Sequence, residues 1–173
     1  IKGISKKYGK YNALDSVSFN ICEGEICGLV GENGTGKTTL IRIMTGLIKQ
    51  TSGKIMRDKH VKVSCIVESP ALYLNLTGFE NLNYALKSSG IKGGKQRIKE
   101  ILNLVGLTHV DKRRKAKDYS LGMRQRLAIG LAIIDTPDLL ILDEPINGLD
   151  PVGIKELREV LLTLKNKKPN TPN

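Results

Sequence analysis

The sequence predicts an α/β fold, and three observations support this prediction. Short apolar runs of strand length, such as Leu139–Leu142, alternate with segments whose apolar residues recur at helical spacing. A glycine-rich turn at residues 31–39 lies between an apolar run at 26–30 and a helical pattern that begins at Lys37. Residues 77–117 show helical patterns and no strand-like run. We therefore expect an α/β core that carries an inserted helical subdomain.

The predicted strands lie mainly in the first part of the chain. Apolar residues alternate over 14–21, a turn signal follows at 23–25, and the run at 26–30 leads into the glycine-rich turn. Shorter strand patterns occupy 54–57 and 61–67. The run Leu139–Leu142 is continuously aliphatic, as expected of a strand that is buried on both faces.

The predicted helices follow from apolar spacing and from signals at their ends. Thr77 and Glu80 have the pattern of a capping box, Gly106 ends the next helix, and Ser120 is a good N-cap. The predicted helices cover 37 to about 47, 81–87, about 98–105, 108–115, 121–134 and 152–165.

Size and charge limit the function classes. At 173 residues with 40% hydrophobic content, the chain suits one domain with a small inserted subdomain. No apolar run approaches the roughly 18 residues that cross a bilayer. The net charge is +11, with basic residues gathered at 92–99 and 112–117. Because no aromatic residues interleave them, we favour a solvated basic face over a surface for nucleic acid or anionic membranes.

The cysteines and the N-terminus indicate the compartment. Cys22, Cys27 and Cys65 have no metal-like spacing. We expect buried free thiols in a reducing compartment, which is the cytosol. The chain has no signal-peptide pattern and starts without Met, in mid-pattern, so we expect N-terminal residues to be missing.

The glycine-rich turn has the pattern of a complete phosphate-binding P-loop. A strand, a glycine-rich turn and a helix N-terminus together form an anion site, because backbone N–H groups and the helix dipole favour negative charge. Lys37 reaches the β- and γ-phosphates, and the Thr38 hydroxyl ligates Mg²⁺. The sequence therefore predicts that a nucleoside triphosphate is bound by Gly31, Glu32, Asn33, Gly34, Thr35, Gly36, Lys37, Thr38 and Thr39.

A second motif completes the predicted catalytic set. The aliphatic run Leu139–Leu142 ends in Asp143 and Glu144, which is the Walker B pattern when a P-loop is present. Asp143 would hold Mg²⁺. Glu144, which would polarise the attacking water, and Lys37 are two of the predicted catalytic residues. The alternative is a strand end with two solvated acids.

The segment at 119–126, which precedes the second motif in the chain, carries a resemblance to a known protein family. Ser120 and Gly122 stand at a helix N-terminus, where they either cap the helix or bind a second phosphate. The segment resembles the signature motif of ATP-binding cassette (ABC) proteins, whose common form is Leu-Ser-Gly-Gly-Gln. Ser120 and Gly122 match that form. Tyr119, Leu121 and Met123 depart from it, in a variant similar to that of bacterial ABC-2 exporters.

The resemblance covers essentially the whole chain and adds two site residues. Tyr8, followed by Gly9, resembles the A-loop aromatic that stacks on adenine, and a strand-edge tyrosine is the alternative. Asp150 ends a segment that resembles the D-loop, which in the family communicates between two nucleotide sites. Asp150 would also cap the helix that begins at Pro151, and both roles are compatible.

Two features depart from the family pattern. Glu68 stands where the family has the Q-loop glutamine, similar to the E-loop of lantibiotic-immunity and bacitracin-type ATPases. We expect Glu68 to be the third catalytic residue, close to Mg²⁺ and the attacking water, with a solvated strand-end Glu as the alternative. Neither His60 nor His109 matches the family's switch histidine. We therefore expect a C-terminally truncated chain that binds ATP better than it hydrolyses it.

The resemblance implies a P-loop NTPase (RecA-like) core with an N-terminal antiparallel β portion. Residues 1–74 and 135–173 would form the catalytic core of a single ABC ATPase domain, and about 75–134 the helical subdomain. The implied ligands are ATP and Mg²⁺, bound in a head-to-tail dimer in which Ser120 and Gly122 act on the partner's ATP.

The resemblance also implies partners and a location. A membrane-spanning permease subunit would carry the cargo, a peptide antibiotic, lantibiotic or drug, and the chain would lie on the cytoplasmic face of a bacterial membrane. No nucleic acid is expected. One competing hypothesis is a soluble ABC ATPase of nucleic-acid repair or translation. Another is a regulatory cassette that uses ATP only to dimerise, against which the intact Glu144 argues.

Overall fold

The computed structural model describes residues 1–67, 71–90 and 94–166. They form two compact units, of which the first is Ile1–Val63 and the second begins at Ser64. Each unit has its own hydrophobic core.

The first unit contains a three-stranded antiparallel sheet and one helix. The strands are β1 (Lys2–Tyr8), β2 (Tyr11–Val17) and β3 (Ser52–Lys54), in the order β2-β1-β3, and the helix is α1 (Lys37–Met44). The core between sheet and helix consists of Ile4, Leu14, Leu40 and Ile43. The predicted antiparallel β portion is confirmed, although β2 begins and ends earlier than the alternation predicts, and β3 precedes the expected 54–57.

Residues 18–32 form no strand, so the strand predicted at 26–30 is wrong. All of these residues are described, and none of them pairs with β1, β2 or β3. A strand needs a neighbour that completes its ladder of hydrogen bonds. Without one, the side chains of residues 26–30 stay exposed to solvent, and Val30 is 95% exposed. The apolar run therefore has strand composition without strand pairing.

The second unit contains four helices and a two-stranded sheet among its described residues. The helices are α2 (Gly78–Ser88), α3 (Gly94–Leu104), α4 (Leu121–Ala132) and α5 (Pro151–Asn166), and the paired strands are β4 (Val63–Ile66) and β5 (Leu139–Leu142). The unit boundary falls at the first residue of β4. The centre of the core consists of Leu82, Ile98, Ile101, Val105, Leu127, Ile129 and Leu157. Only Ile141 of β5 is fully buried, while its neighbours are half-buried.

The predicted signals at the helix ends are confirmed. The capping box is complete, because Thr77 Oγ1 accepts the N–H of Glu80 at 3.2 Å and Glu80 Oε2 accepts the N–H of Thr77 at 2.8 Å. Ser120 Oγ accepts the N–H of Met123 at 3.2 Å and caps α4. Gly106 follows α3 with a φ of 67°, a conformation that suits glycine at a helix C-terminus.

The basic helix predicted at 108–115 is wrong, since this described segment forms turns and leads into a short 3₁₀ helix, Ala116–Asp118. Polar groups that an α-helix would use internally have other partners. Asp111 Oδ1 accepts the N–H of Arg113 at 2.9 Å, and the N–H of Ala116 donates to the carbonyl of Leu76 at 2.8 Å. Such local side-chain bonds compete with helix formation.

The cysteines are free and exposed, so the prediction of buried thiols is wrong. Cys22 and Cys27 lie in the unpaired segment 18–32. Cys65 lies in β4, where successive side chains point to opposite faces, and its neighbour Ile66 takes the buried position.

Candidate nucleotide-binding and catalytic site

The P-loop forms the turn that starts α1, as predicted. Gly36 is the N-cap of α1 with a φ of 90°, and it offers no side chain to the helix N-terminus. A Cβ on Gly36 would lie 2.3 Å from the carbonyl oxygen of Ala13, so only glycine allows the loop to lie this close to β2. The first N–H groups of α1 therefore remain available to an anion.

The side chain of Lys37 forms hydrogen bonds to the backbone of the loop. Its Nζ donates to the carbonyl oxygens of Gly31 at 2.6 Å and Glu32 at 2.7 Å. Thr35 Oγ1 also donates to the carbonyl of Glu32, at 2.8 Å. The ammonium group thus stands among the carbonyls of an exposed loop, where phosphate oxygens would replace them as better partners.

Two tyrosines lie beside the P-loop in the first unit. Tyr8, predicted to stack on adenine, ends β1 and is 49% exposed. Tyr8 pairs with Tyr11 across the ladder, and Tyr11 Oη donates to the carbonyl oxygen of Gly34 at 3.2 Å. Our sequence reasoning missed Tyr11. The sequence feature that could have identified Tyr11 is the tight turn at Gly9, because such a turn pairs the residues that flank it.

The two predicted acids lie at the end of β5 in the second unit. Asp143 is 9% exposed, and its N–H donates to the carbonyl of Ile66 at 2.9 Å. Glu144 is exposed, has a φ of 45° and accepts a hydrogen bond from Asn147 Nδ2 at 3.2 Å. A positive φ is uncommon outside glycine and marks a constrained position. Asn147 begins the segment that resembles the D-loop, but sequence reasoning did not predict its hydrogen bond to Glu144.

The signature segment packs against the D-loop segment within the second unit. A Cβ on Gly122 would lie 3.7 Å from Leu149 Cδ2, and a Cβ on Gly148 would lie 2.9 Å from Leu121 Cδ2. Asp150 Oδ1 accepts the N–H of Gly153 at 2.8 Å and so caps α5. Ser120 and Asp150 thus both act as helix caps, which was one of the two roles predicted for each residue. Capping is compatible with a second role in nucleotide binding.

Tyr119 anchors this segment to the helical part of the unit. Its ring is 6% exposed, and burial raises the pKa of its phenol above the ordinary value of 10.0. The hydroxyl is therefore neutral at physiological pH, and it contacts the start of α2 at Gly78. This buried tyrosine fixes the position of the neighbouring Ser120.

Comparison with known proteins decides the family. The family model described as "ABC transporter" matches residues 14–147. This chain belongs to the ABC transporter family. The lantibiotic transport ATP-binding protein SrtF of Streptococcus pyogenes is 43% identical over 175 residues, covering 96% of this chain and 75% of SrtF. The bacitracin transport ATP-binding protein BcrA of Bacillus licheniformis is 45% identical, covering 95% of this chain and 56% of BcrA.

Solved structures of ABC proteins have the same fold. The ATP-binding cassette MJ1267 of an ABC transporter superposes with a TM-score of 0.81 and 28% identity, over 95% of this chain and 75% of that one. An ATP-binding subunit of an ABC transporter gives a TM-score of 0.78 and 31% identity, over 95% and 73%. The predicted α/β P-loop fold and the predicted resemblance to lantibiotic and bacitracin transport ATPases are confirmed.

The described part of this ABC chain contains no group of three or more His, Cys, Asp or Glu side chains that could hold a metal ion. NTPases in general bind Mg²⁺ through one or two protein oxygen ligands, while the substrate phosphates supply others. Asp143 and the Thr38 hydroxyl are suitable oxygen donors. Glu68, the third predicted Mg²⁺ ligand, lies outside the described residues.

Proposed function

We propose that this chain is the ATP-binding and hydrolysing subunit of an ABC transporter that powers export of a peptide antibiotic. The family match and the similarity to SrtF and BcrA support the ATPase and transport parts. The names of those two relatives, which refer to lantibiotic and bacitracin transport, support the cargo class. The chain spans 75% of SrtF and 56% of BcrA, so the cargo and partners are inferred by analogy.

The observation that carries the proposal is the architecture of the P-loop. Gly36 allows the loop to lie against β2, and the Nζ of Lys37 donates hydrogen bonds to two carbonyl oxygens of the loop. When a triphosphate enters, the Lys37 ammonium bonds its oxygens, and the N–H groups of the first turn of α1 point at it. Gly31 to Thr39 would then surround the β- and γ-phosphates, while Tyr8 stacks on the base.

Hydrolysis would rest on the two acids after β5. Thr38 and Asp143 are the oxygen donors that would hold Mg²⁺, and the ion would supply positive charge against the phosphate oxygens. Glu144 is exposed, and one of its carboxylate oxygens is held by Asn147, so its other oxygen is able to accept a proton from water. Glu68 would add a further oxygen close to that water.

The nucleotide would be shared between two copies in a head-to-tail dimer. Ser120 and Gly122 stand at the N-terminus of α4, where a hydroxyl and N–H groups suit a γ-phosphate from the partner. Because that phosphate contacts both chains, ATP favours the closed dimer and hydrolysis opens it. We place the catalytic core at 1–74 and 135–173 and the helical subdomain at about 75–134.

A separate membrane subunit would carry the cargo. No helix within the described ranges is long and apolar enough to cross a membrane. We place the chain at the cytoplasmic face of a bacterial membrane, bound to a permease. The alternative of a repair or translation ATPase is not favoured, since the similar proteins SrtF and BcrA are named for transport.

The deciding experiment is the solution mass of Glu144→Gln with and without Mg-ATP. We expect a shift from monomer to dimer, because uncleaved ATP keeps the dimer closed. Ser120→Ala in the same background should abolish that shift. Ser120 also caps α4, so Thr77→Ala serves as the matched control, since it removes the cap of α2 and leaves the proposed site intact. A chain that binds ATP and stays monomeric would contradict the shared site, and a chain that binds no ATP would contradict the whole proposal.

A further inference from the structure

Tyr11 connects the base side of the proposed site to its phosphate side. Tyr8 and Tyr11 form the last pair of the β1–β2 ladder. From this position, Tyr11 Oη donates to the carbonyl oxygen of Gly34 in the P-loop at 3.2 Å. Tyr11 is therefore part of the hairpin through its backbone and contacts the P-loop through its hydroxyl group.

β2 and the P-loop also approach each other closely at a second point, between Ala13 and Gly36. The ladder shifts register between the pairs Lys6–Leu14 and Lys7–Asn12, which leaves Ala13 as an extra residue on β2. Such irregularities re-aim backbone groups, and the carbonyl of Ala13 faces Gly36 so closely that a Cβ there would lie 2.3 Å away. The loop is thus hydrogen-bonded to β2 at Gly34 and lies close to β2 at Gly36.

Tyr8 lies on β1, the other strand of the hairpin, where its ring contacts Lys6. The Nζ of Lys6 lies 4.9 Å from the centroid of the Tyr8 ring and also donates to the carbonyl of Lys49 at 2.7 Å. The ammonium group covers one ring face through a cation–π contact. Because Tyr8 is half-exposed, the other ring face remains available to a base.

We propose that Tyr11 is a positioning residue that sets the distance between the base platform of Tyr8 and the P-loop. This inference rests on the proposed binding of ATP. A bound nucleotide bridges the two parts, so it gains the full base contact only if their separation is fixed in advance. Tyr11 supplies that separation through the Gly34 hydrogen bond and touches no phosphate itself.

The test compares two ligands that differ in the base. Dissociation constants for Mg-ATP and for Mg-tripolyphosphate are measured by calorimetry on the unaltered chain and on Tyr11→Phe, which removes only the hydroxyl. We expect Tyr11→Phe to weaken Mg-ATP by about two- to tenfold, the usual worth of one hydrogen bond. The tripolyphosphate constant should stay within about twofold, because that ligand has no base to misplace.

Two further variants make the result specific. In Tyr8→Ala, ATP should lose its base contact, and adding Tyr11→Phe should weaken ATP no further. Tyr84→Phe, at an exposed tyrosine of the second unit that contacts Tyr73, should change neither constant. Thermal unfolding of each variant identifies any that fail to fold, and Tyr11→Leu then replaces Tyr11→Phe as a second side chain without a hydrogen-bond donor.

The outcomes separate this inference from the function on which it rests. Equal weakening of both ligands would mean that Tyr11 merely orders the P-loop, and an unchanged ATP constant would mean that the Gly34 bond is irrelevant; either result overturns the inference. If the unaltered chain binds Mg-ATP no better than Lys37→Ala does, the proposed function itself fails.

Discussion

Asn147 Nδ2 donates a hydrogen bond to Glu144 Oε2, at 3.2 Å, across the turn that follows β5. The same two residues are joined through the backbone, where the N–H of Asn147 donates to the carbonyl of Glu144 at 3.0 Å. Glu144 has a φ of 45°, a conformation that costs on the order of 1 kcal/mol for a non-glycine residue. The two hydrogen bonds hold the carboxylate in this orientation.

Asn147→Ala should lower the rate of ATP hydrolysis and leave nucleotide affinity unchanged. The alanine removes the amide that orients the Glu144 carboxylate, while the P-loop is untouched. We expect a loss in kcat of about tenfold, in the range found when one positioning contact is removed. Steady-state kinetics give kcat, and calorimetry on the Glu144→Gln background gives the affinity.

The control for this prediction is Asn103→Ala on the exposed side of α3, which should keep full activity. Asn147→Asp is a second comparison, since it keeps the shape and replaces the donor by a like charge. If Asn147→Ala and Asn147→Asp both hydrolyse ATP at the unaltered rate, Glu144 is oriented by other groups.

Gly36→Ala should abolish nucleotide binding, whereas Gly34→Ala should weaken it far less. Both glycines have positive φ, at 90° and 84°, so both variants carry similar backbone strain. Only Gly36 also meets the carbonyl of Ala13, at 2.3 Å from its Cβ position, whereas no atom lies within 4 Å of a Cβ at Gly34. We expect at least a hundredfold loss for Gly36→Ala, because the loop must leave β2. Equal losses in the two variants would assign the effect to backbone strain.

The sequence predicted those features that depend on local chemistry. The capping box of Thr77 and Glu80, the Ser120 cap and the start of α1 at Lys37 each involve residues within one helical turn. Their hydrogen bonds form wherever the segment is helical, so a local pattern is sufficient.

The features that sequence reasoning missed depend on distant partners. The run at 26–30 has strand composition, but pairing is decided by neighbours that the pattern does not name. The basic segment at 108–115 ends at a bridge between Lys115 and the distant Thr77, next to which the N–H of Ala116 donates to the carbonyl of Leu76. The Tyr11–Gly34 bond likewise needs the register of the hairpin. Such contacts are properties of the fold and not of any local motif.

The buried Arg126 predicts a test of stability. Its Nη2 lies 3.2 Å from Glu156 Oε2 and its Nη1 donates to the carbonyl of Gly106 at 3.2 Å, so it joins α4 to α5 and to the end of α3. Arg126→Met should lower the free energy of unfolding by about 1–3 kcal/mol, because it leaves the carbonyl without its donor. Urea unfolding measures the change.

The matched variant for that test is Glu156→Gln. Glu156 is 41% exposed, so its loss should cost only about 1 kcal/mol. The double variant should be no less stable than Arg126→Met, because both changes remove the same ion pair. Fully additive effects would show that the two side chains do not interact in solution.

The capping box predicts how stability changes with pH. The N–H of Thr77, and next its hydroxyl, hold the pKa of Glu80 below the ordinary value of 4.5. The unfolded chain therefore binds this proton at higher pH than the folded chain does. The stabilisation from Glu80 is fully present above 4.5 and is lost as the pH falls through the lower pKa of the folded state.

Glu80→Gln should consequently reduce the acid sensitivity of the chain. Glutamine does not titrate, so the difference in urea midpoint between neutral pH and about pH 3.5 should shrink relative to the unaltered chain. Glu159→Gln on α5 removes the same charge from a carboxylate with no hydrogen bond or ion pair to the described residues, and it should preserve that difference. If Glu80→Gln and Glu159→Gln behave alike, the pH dependence comes from net charge, and the capping box does not contribute to it.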